Sequence, residues 1–180
     1  DLFIGGFYQY MKFKSRTTES NIEIADDELH GIGLNLYMDK RDDVYYPING
    51  SVTEMIWASF PTLFNNEDAL NKVEIEFNKY IGVRNNTDVI AARVYTGLGV
   101  GDLTFNQKFV IGQNDIRGYT QGTYRGNYAV NIQGEYRWNL YNKLSLVGFA
   151  GVATVFESVN ESHNGQLLPG IGTGFRVNVF

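Results

Sequence analysis

Few residues in this sequence have the types and spacing that covalent chemistry needs. The two histidines, His30 and His163, stand far apart, cysteine is absent, and neither a His-x-x-x-His pair nor a Gly-x-Ser-x-Gly elbow occurs. A disulfide framework and a thiolate metal site are therefore excluded. The histidines are expected to face solvent or sit on loops, and no enzyme, metal or cofactor is expected. Asp26-Asp27-Glu28 reads as a solvated charge run or a weak divalent-cation contact, because a hydrolytic pair needs opposed carboxylates at a fixed separation. The chemistry that remains is non-covalent. Arg117 stands between Ile116 and Gly118-Tyr119, a pattern of a guanidinium at a tight turn with packed apolar neighbours. In a secluded place such a group takes a carboxylate through charge-assisted hydrogen bonds. Glu135 is the natural partner, on the polar side of the following strand together with Arg137.

The elements that would position these residues are strands. Residues i, i+2 and i+4 share one face of a strand, and Tyr128, Val130, Ile132, Tyr136, Trp138 and Leu140 alternate with Asn127, Asn131, Gln133, Glu135, Arg137 and Asn139. Val73, Ile75, Phe77, Ile81 and Val83, interrupted by Lys79, likewise oppose Lys72, Glu74, Glu76, Asn78 and Arg84. The same reading places strands at 2–14, 29–38, 51–60, 72–84, 88–100, 127–139, 143–156 and 167–180, with no convincing helix. Long connections alternate with short ones such as Asn85-Asn86-Thr87 and Leu140-Tyr141-Asn142, and the longest runs over 101–126. Its 26 residues are too many for an idle connection and too aromatic for a disordered one.

Composition narrows the class. Twelve Tyr, twelve Phe and 43% apolar residues exclude a disordered tail, and three prolines without a glycine period exclude a collagen-like scaffold. A net charge of −5 argues against a nucleic-acid partner, which needs clustered Lys and Arg. No apolar run reaches the length of a spanning helix; Leu146 to Phe156 is broken by two glycines and a threonine. The strands, however, are longer than the five or six residues usual in soluble sheets and match the roughly 9–11 tilted residues that cross a bilayer. Tyr8, Tyr10, Tyr37, Tyr80, Tyr128 and Trp138 near strand ends read as aromatic girdles. The expected fold is all-β: an antiparallel up-and-down transmembrane β-barrel domain over 1–180, of about eight long strands. The competing fold is a soluble, lipocalin-like barrel with a ligand cavity. Asp1-Leu2-Phe3-Ile4-Gly5-Gly6 carries neither a basic leader nor a cleavage site, so a mature product, a trimmed piece or an internal fragment is expected.

Several motifs, in order, resemble the BamA/TamA-like bacterial surface antigen superfamily. Ile116-Arg117-Gly118-Tyr119 is similar to that family's Val-Arg-Gly-Phe/Tyr loop motif, and Phe109-Val110-Ile111-Gly112 to the approach before it, with Gln113 replacing a second glycine. Asp39-Lys40-Arg41-Asp42, with Pro47 and Gly50, resembles its Asp-x-Arg-Asp…Pro-x-x-Gly turn, and Glu135-Tyr136-Arg137 its Glu-Tyr-Arg strand. The resemblance implies an outer-membrane barrel that inserts or translocates outer-membrane proteins without catalysis. It also implies a long loop folded into the lumen, with Arg117 bracing the inner wall at Glu135. Two departures stand out. Gly151 and Ala153 occupy the places where the family carries a second acidic pattern, and only three strands follow the loop where family order places five. A compact eight-stranded barrel, half of a wall shared by two copies, and a fragment all remain open. The lumen of eight strands barely holds side chains, so the loop is expected either outside it or within a wider wall. The implied location is the bacterial outer membrane. Expected partners are the lipid bilayer, substrate outer-membrane proteins or an attached periplasmic or passenger domain, and a second copy. The alternative role is a membrane anchor or export barrel, as in patatin-like lipases.

Overall fold

The computed structural model describes residues 1–16, 23–112, 115–141 and 144–177, with the backbone alone at 14–16 and 23–27. The expected turn at Asn142, Gln113 of the loop motif, the Asp26-Asp27 carboxylates and the chain end at Val179 and Phe180 lie outside the described residues and side chains.

Eight long strands pair antiparallel in chain order: β1 (Leu2–Arg16), β2 (Glu23–Asp39), β3 (Gly50–Phe60), β4 (Leu70–Val83), β5 (Asp88–Gly101), β7 (Tyr124–Tyr141), β8 (Leu144–Ser158) and β9 (Leu168–Val177). A short strand inside the long loop, β6 (Phe109–Ile111), pairs with the start of β7. That strand was not expected. It continues the ladder beyond Leu98–Tyr128, the last pairing of β5 with β7. The loop proper therefore contracts to 102–108 and 112–123. Single 3-10 turns occupy Thr62–Phe64 and Glu161–His163.

Register fixes which residues share a face. Arg93 opposes Gln133 and Tyr95 opposes Asn131, while Val94 opposes Ile132 and Ile90 opposes Tyr136. The apolar set is the exposed one. Ile132 is 51% exposed, Ile171 87% and Phe175 74%, whereas Asn131 is fully buried and Arg137 nearly so. Leu34, Met55, Ile75, Phe77, Leu98, Val152 and Phe156 extend the apolar face across the other strands. A soluble barrel would bury that face and wet the other. The observed arrangement is the inverse, as in a barrel whose outside meets lipid.

The girdle needs one correction. Tyr8, Tyr10 and Trp138 face outward with the apolar set. Tyr37 and Tyr80 face inward, because the register aligns them with Phe3 and Ala91 rather than with the apolar stripe. Tyr37 donates to Asp39, and Tyr80 packs under Arg137.

Among the described residues no ladder joins β9 to β1, so the sheet is an open wall and not a closed barrel. The loop is not displaced outward. It lies on the inner face, where Phe109, Ile111 and Ile116 bury against Ala129, Ala153, Val155 and Leu168. Leu103 joins a second buried cluster with Leu29, Ala58, Phe60 and Leu70. The inner wall makes room for the loop with glycines. A Cβ at Gly97 would meet the Phe109 ring at 2.6 Å, one at Gly99 would meet Leu103 at 2.5 Å, and one at Gly170 would meet Ile116 at 2.8 Å. Burial of a large apolar side chain contributes about 1.5–3 kcal/mol each, which offsets the entropy of ordering so long a connection.

Candidate functional site

The loop motif is set down on the wall by its backbone before its arginine is aimed. The side chains of Asn131 and Gln133, successive inward residues of β7, both donate to the Asp115 carbonyl oxygen. Ile116 then buries beside Gly170 of β9. Gly118 adopts φ +102°, a left-handed conformation that a side chain would strain. Tyr119 ties the far side down by donating its hydroxyl to the Pro169 carbonyl, 2.8 Å away. Arg117, between the two anchors, reaches Glu135 with 3.2 Å between Nη2 and Oε2, and its guanidinium lies 4.1 Å from the centre of the Phe149 ring. Glu135 also accepts from Arg137 Nε at 2.6 Å through its other oxygen. Ile116, Arg117, Gly118, Tyr119 and Glu135 are thus all brought together.

The missing acidic residue of β8 has a structural counterpart. Phe149, two residues before the Gly151 place, offers Arg117 a π-face, while Gly151 packs its backbone against Gln133. Next to this group, Arg93 lies 2.8 Å from Glu76 and 3.8 Å from Asp115, so the loop is also held by charge on β5, whose arginine β4 keeps in place.

The second motif lies in the turn between β2 and β3. Asp39 accepts from Arg41 Nε and Nη2 at 3.0 and 2.6 Å and from the Arg41 backbone. Asp42 receives the backbone N–H groups of Ile48 and Asn49, each at 3.0 Å. Pro47 is buried, and Gly50 is required at φ +115°, where a Cβ would lie 2.1 Å from the Lys40 carbonyl oxygen. So Asp39, Arg41, Asp42, Pro47 and Gly50 form one folded unit. It is remote from Arg117 in the chain, yet the turn reaches the same part of the inner wall. Tyr46 is 2.7 Å from Ser145 of β8, and Arg176 of β9 donates to the Tyr45 carbonyl at 3.2 Å and lies over the Tyr46 ring. The wall is therefore curved enough for the turn to span from β2 and β3 to β8 and β9. Sequence reasoning missed Tyr46, Ser145, Phe149 and Arg176. The usable signal was an aromatic inside the Asp-Arg-Asp…Pro motif; the partner across the wall carries none.

Burial pushes the Asp42 carboxyl up, but the amides of Asn49, Ile48 and Asp43 outweigh it and hold it below the ordinary carboxylate range. A group with a depressed folded pKa contributes stability above its unfolded value and loses it as the pH falls. The turn is thus expected to loosen in acid, below about pH 4. Hydrogen exchange at the Ile48 and Asn49 amides should accelerate there beyond its intrinsic pH dependence, and Asp42→Asn should remove the difference.

A curved antiparallel wall, apolar outside, polar within and carrying an inward-folded arginine loop, defines the class as a transmembrane β-barrel wall. The model of the Omp85 superfamily domain matches residues 4–179, so the chain belongs to the Omp85 superfamily, a family of outer-membrane protein insertion and transport. This agrees with the resemblance read from the motifs. A search among curated proteins finds no match.

Proposed function

We propose that residues 1–180 form a barrel domain of the BamA/TamA-like type in the bacterial outer membrane. It inserts or translocates outer-membrane proteins and performs no covalent chemistry. The observation that carries the reading is the loop motif itself, folded onto the inner wall with Arg117 between Glu135 and Phe149. Family membership supports the same direction. On this reading the loop braces the wall, so that the strands at the working edge can part without collapse of the rest, and a substrate strand adds to the exposed ladder.

The test uses the full-length protein in liposomes and a urea-denatured outer-membrane barrel as substrate, with folding followed by gel mobility. Wild type should accelerate folding. Arg117→Ala should slow it by about tenfold, equivalent to about 1.4 kcal/mol at the limiting step, while the variant stays membrane-inserted. No acceleration by wild type would refute the insertase reading; export of an attached domain instead would favour the anchor.

A further inference from the structure

The space between the two motifs holds more positive charge than its own partners neutralise. Among the described residues, Arg117 and Arg137 both pair with one carboxylate, Glu135, at the border of two adjoining cavities, and Arg176 lines the second of them. Arg93, on the first cavity, is already engaged by Glu76 and Asp115. Arg137 is the decisive residue. Its side chain is only 7% exposed, Nε is used by Glu135, and Nη1 is buried with no hydrogen-bond partner among the described residues. Buried guanidinium N–H groups are normally satisfied, and an orphan beside a cavity points to something that should accept from it. The cavity bordered by Arg117, Glu135, Arg137, Asn78, Tyr80 and Phe149 measures about 190 Å³, several times the roughly 30 Å³ share of one water.

We infer that Arg137, with Arg176 and Arg117 beside it, forms an anion-binding site on the inner wall that takes a carboxylate or phosphate oxyanion. Planar guanidiniums around a small cavity suit either group, since both present paired oxygens to a forked donor. The β2–β3 turn holds Arg176 at the border of the site, through the Tyr45 carbonyl and the Tyr46 ring. The inference goes beyond the insertase reading and does not depend on it.

The experiment is thermal unfolding of the full-length protein in detergent, in inorganic phosphate, acetate or chloride at matched ionic strength. Wild type should unfold several degrees higher in phosphate than in chloride. A matching rise in acetate would assign a peptide-type carboxylate as the natural ligand, and a rise in phosphate alone would assign a phosphate group. Arg137→Gln should abolish the difference. Should that variant not fold, Arg176→Gln, on a partly exposed side chain, should reduce it by at least half. Equal midpoints of wild type in all three salts would overturn the proposal, since Arg137 would then be satisfied from within the protein. So would an undiminished anion effect in both variants.

Discussion

Glu135→Ala is expected to destabilise the wall by about 3–5 kcal/mol, the range for removing one partner of a buried ion pair. Its carboxylate is 15% exposed and serves two guanidiniums, Arg137 at 2.6 Å and Arg117 at 3.2 Å. Truncation would leave Arg137, almost wholly buried, without its only carboxylate among the described residues. The complementary change is milder. Arg117 is 52% exposed, so solvent screening reduces its ion pair to at most about 1 kcal/mol. The Phe149 contact adds about 0.5–1 kcal/mol. Arg117→Ala should therefore cost about 0.5–2 kcal/mol, and the double variant should cost less than the sum of the two. Urea titration of the purified protein in detergent reads all three. Strict additivity would mean that the two side chains do not meet in the folded protein, and a Glu135→Ala cost below about 1 kcal/mol would contradict the burial of this pair.

Ile132→Arg should cost about 2–4 kcal/mol in a bilayer, the penalty for a cation on the lipid face near the midplane. Ile132 lies at the middle of β7 on the apolar side. Gln133→Arg, one residue along, points to the inner side of the wall, into the cavity bordered by Asn78 and Glu135, and should cost less than half as much, even though it forfeits the hydrogen bond to the Asp115 carbonyl. Equilibrium unfolding from liposomes measures the contrast, and equal costs would remove the distinction between the faces.

The strands were legible because period two is a local property: β4, β5 and β7 carry alternation strong enough to place their ends within a few residues. The loop motif and Glu135 were legible through the resemblance and through a charge pattern that survives in one dimension. Other features depended on a partner distant in sequence. β8 is apolar on both faces, with Val147, Phe149 and Val155 turned inward beneath the loop or its neighbours, so its alternation could not say which side meets lipid. Tyr37 and Tyr80 escape the girdle because an aromatic near a strand end suits either face until register is known. The strand β6 has only three residues, too few to show a period, and exists because β7 outruns β5. Nor does any local pattern announce that Tyr46 will meet Ser145, since that contact arises only when the wall curves.

The most direct test labels single cysteines along β7 with a fluorophore in proteoliposomes containing brominated lipid, which the absence of native cysteine makes possible. Labels at 130, 132 and 136 should be quenched by the acyl-chain bromines, and labels at 131, 133 and 135 should escape quenching. The reverse pattern, or uniform quenching of both sets, would show that the face with Ile132 does not rest against hydrocarbon.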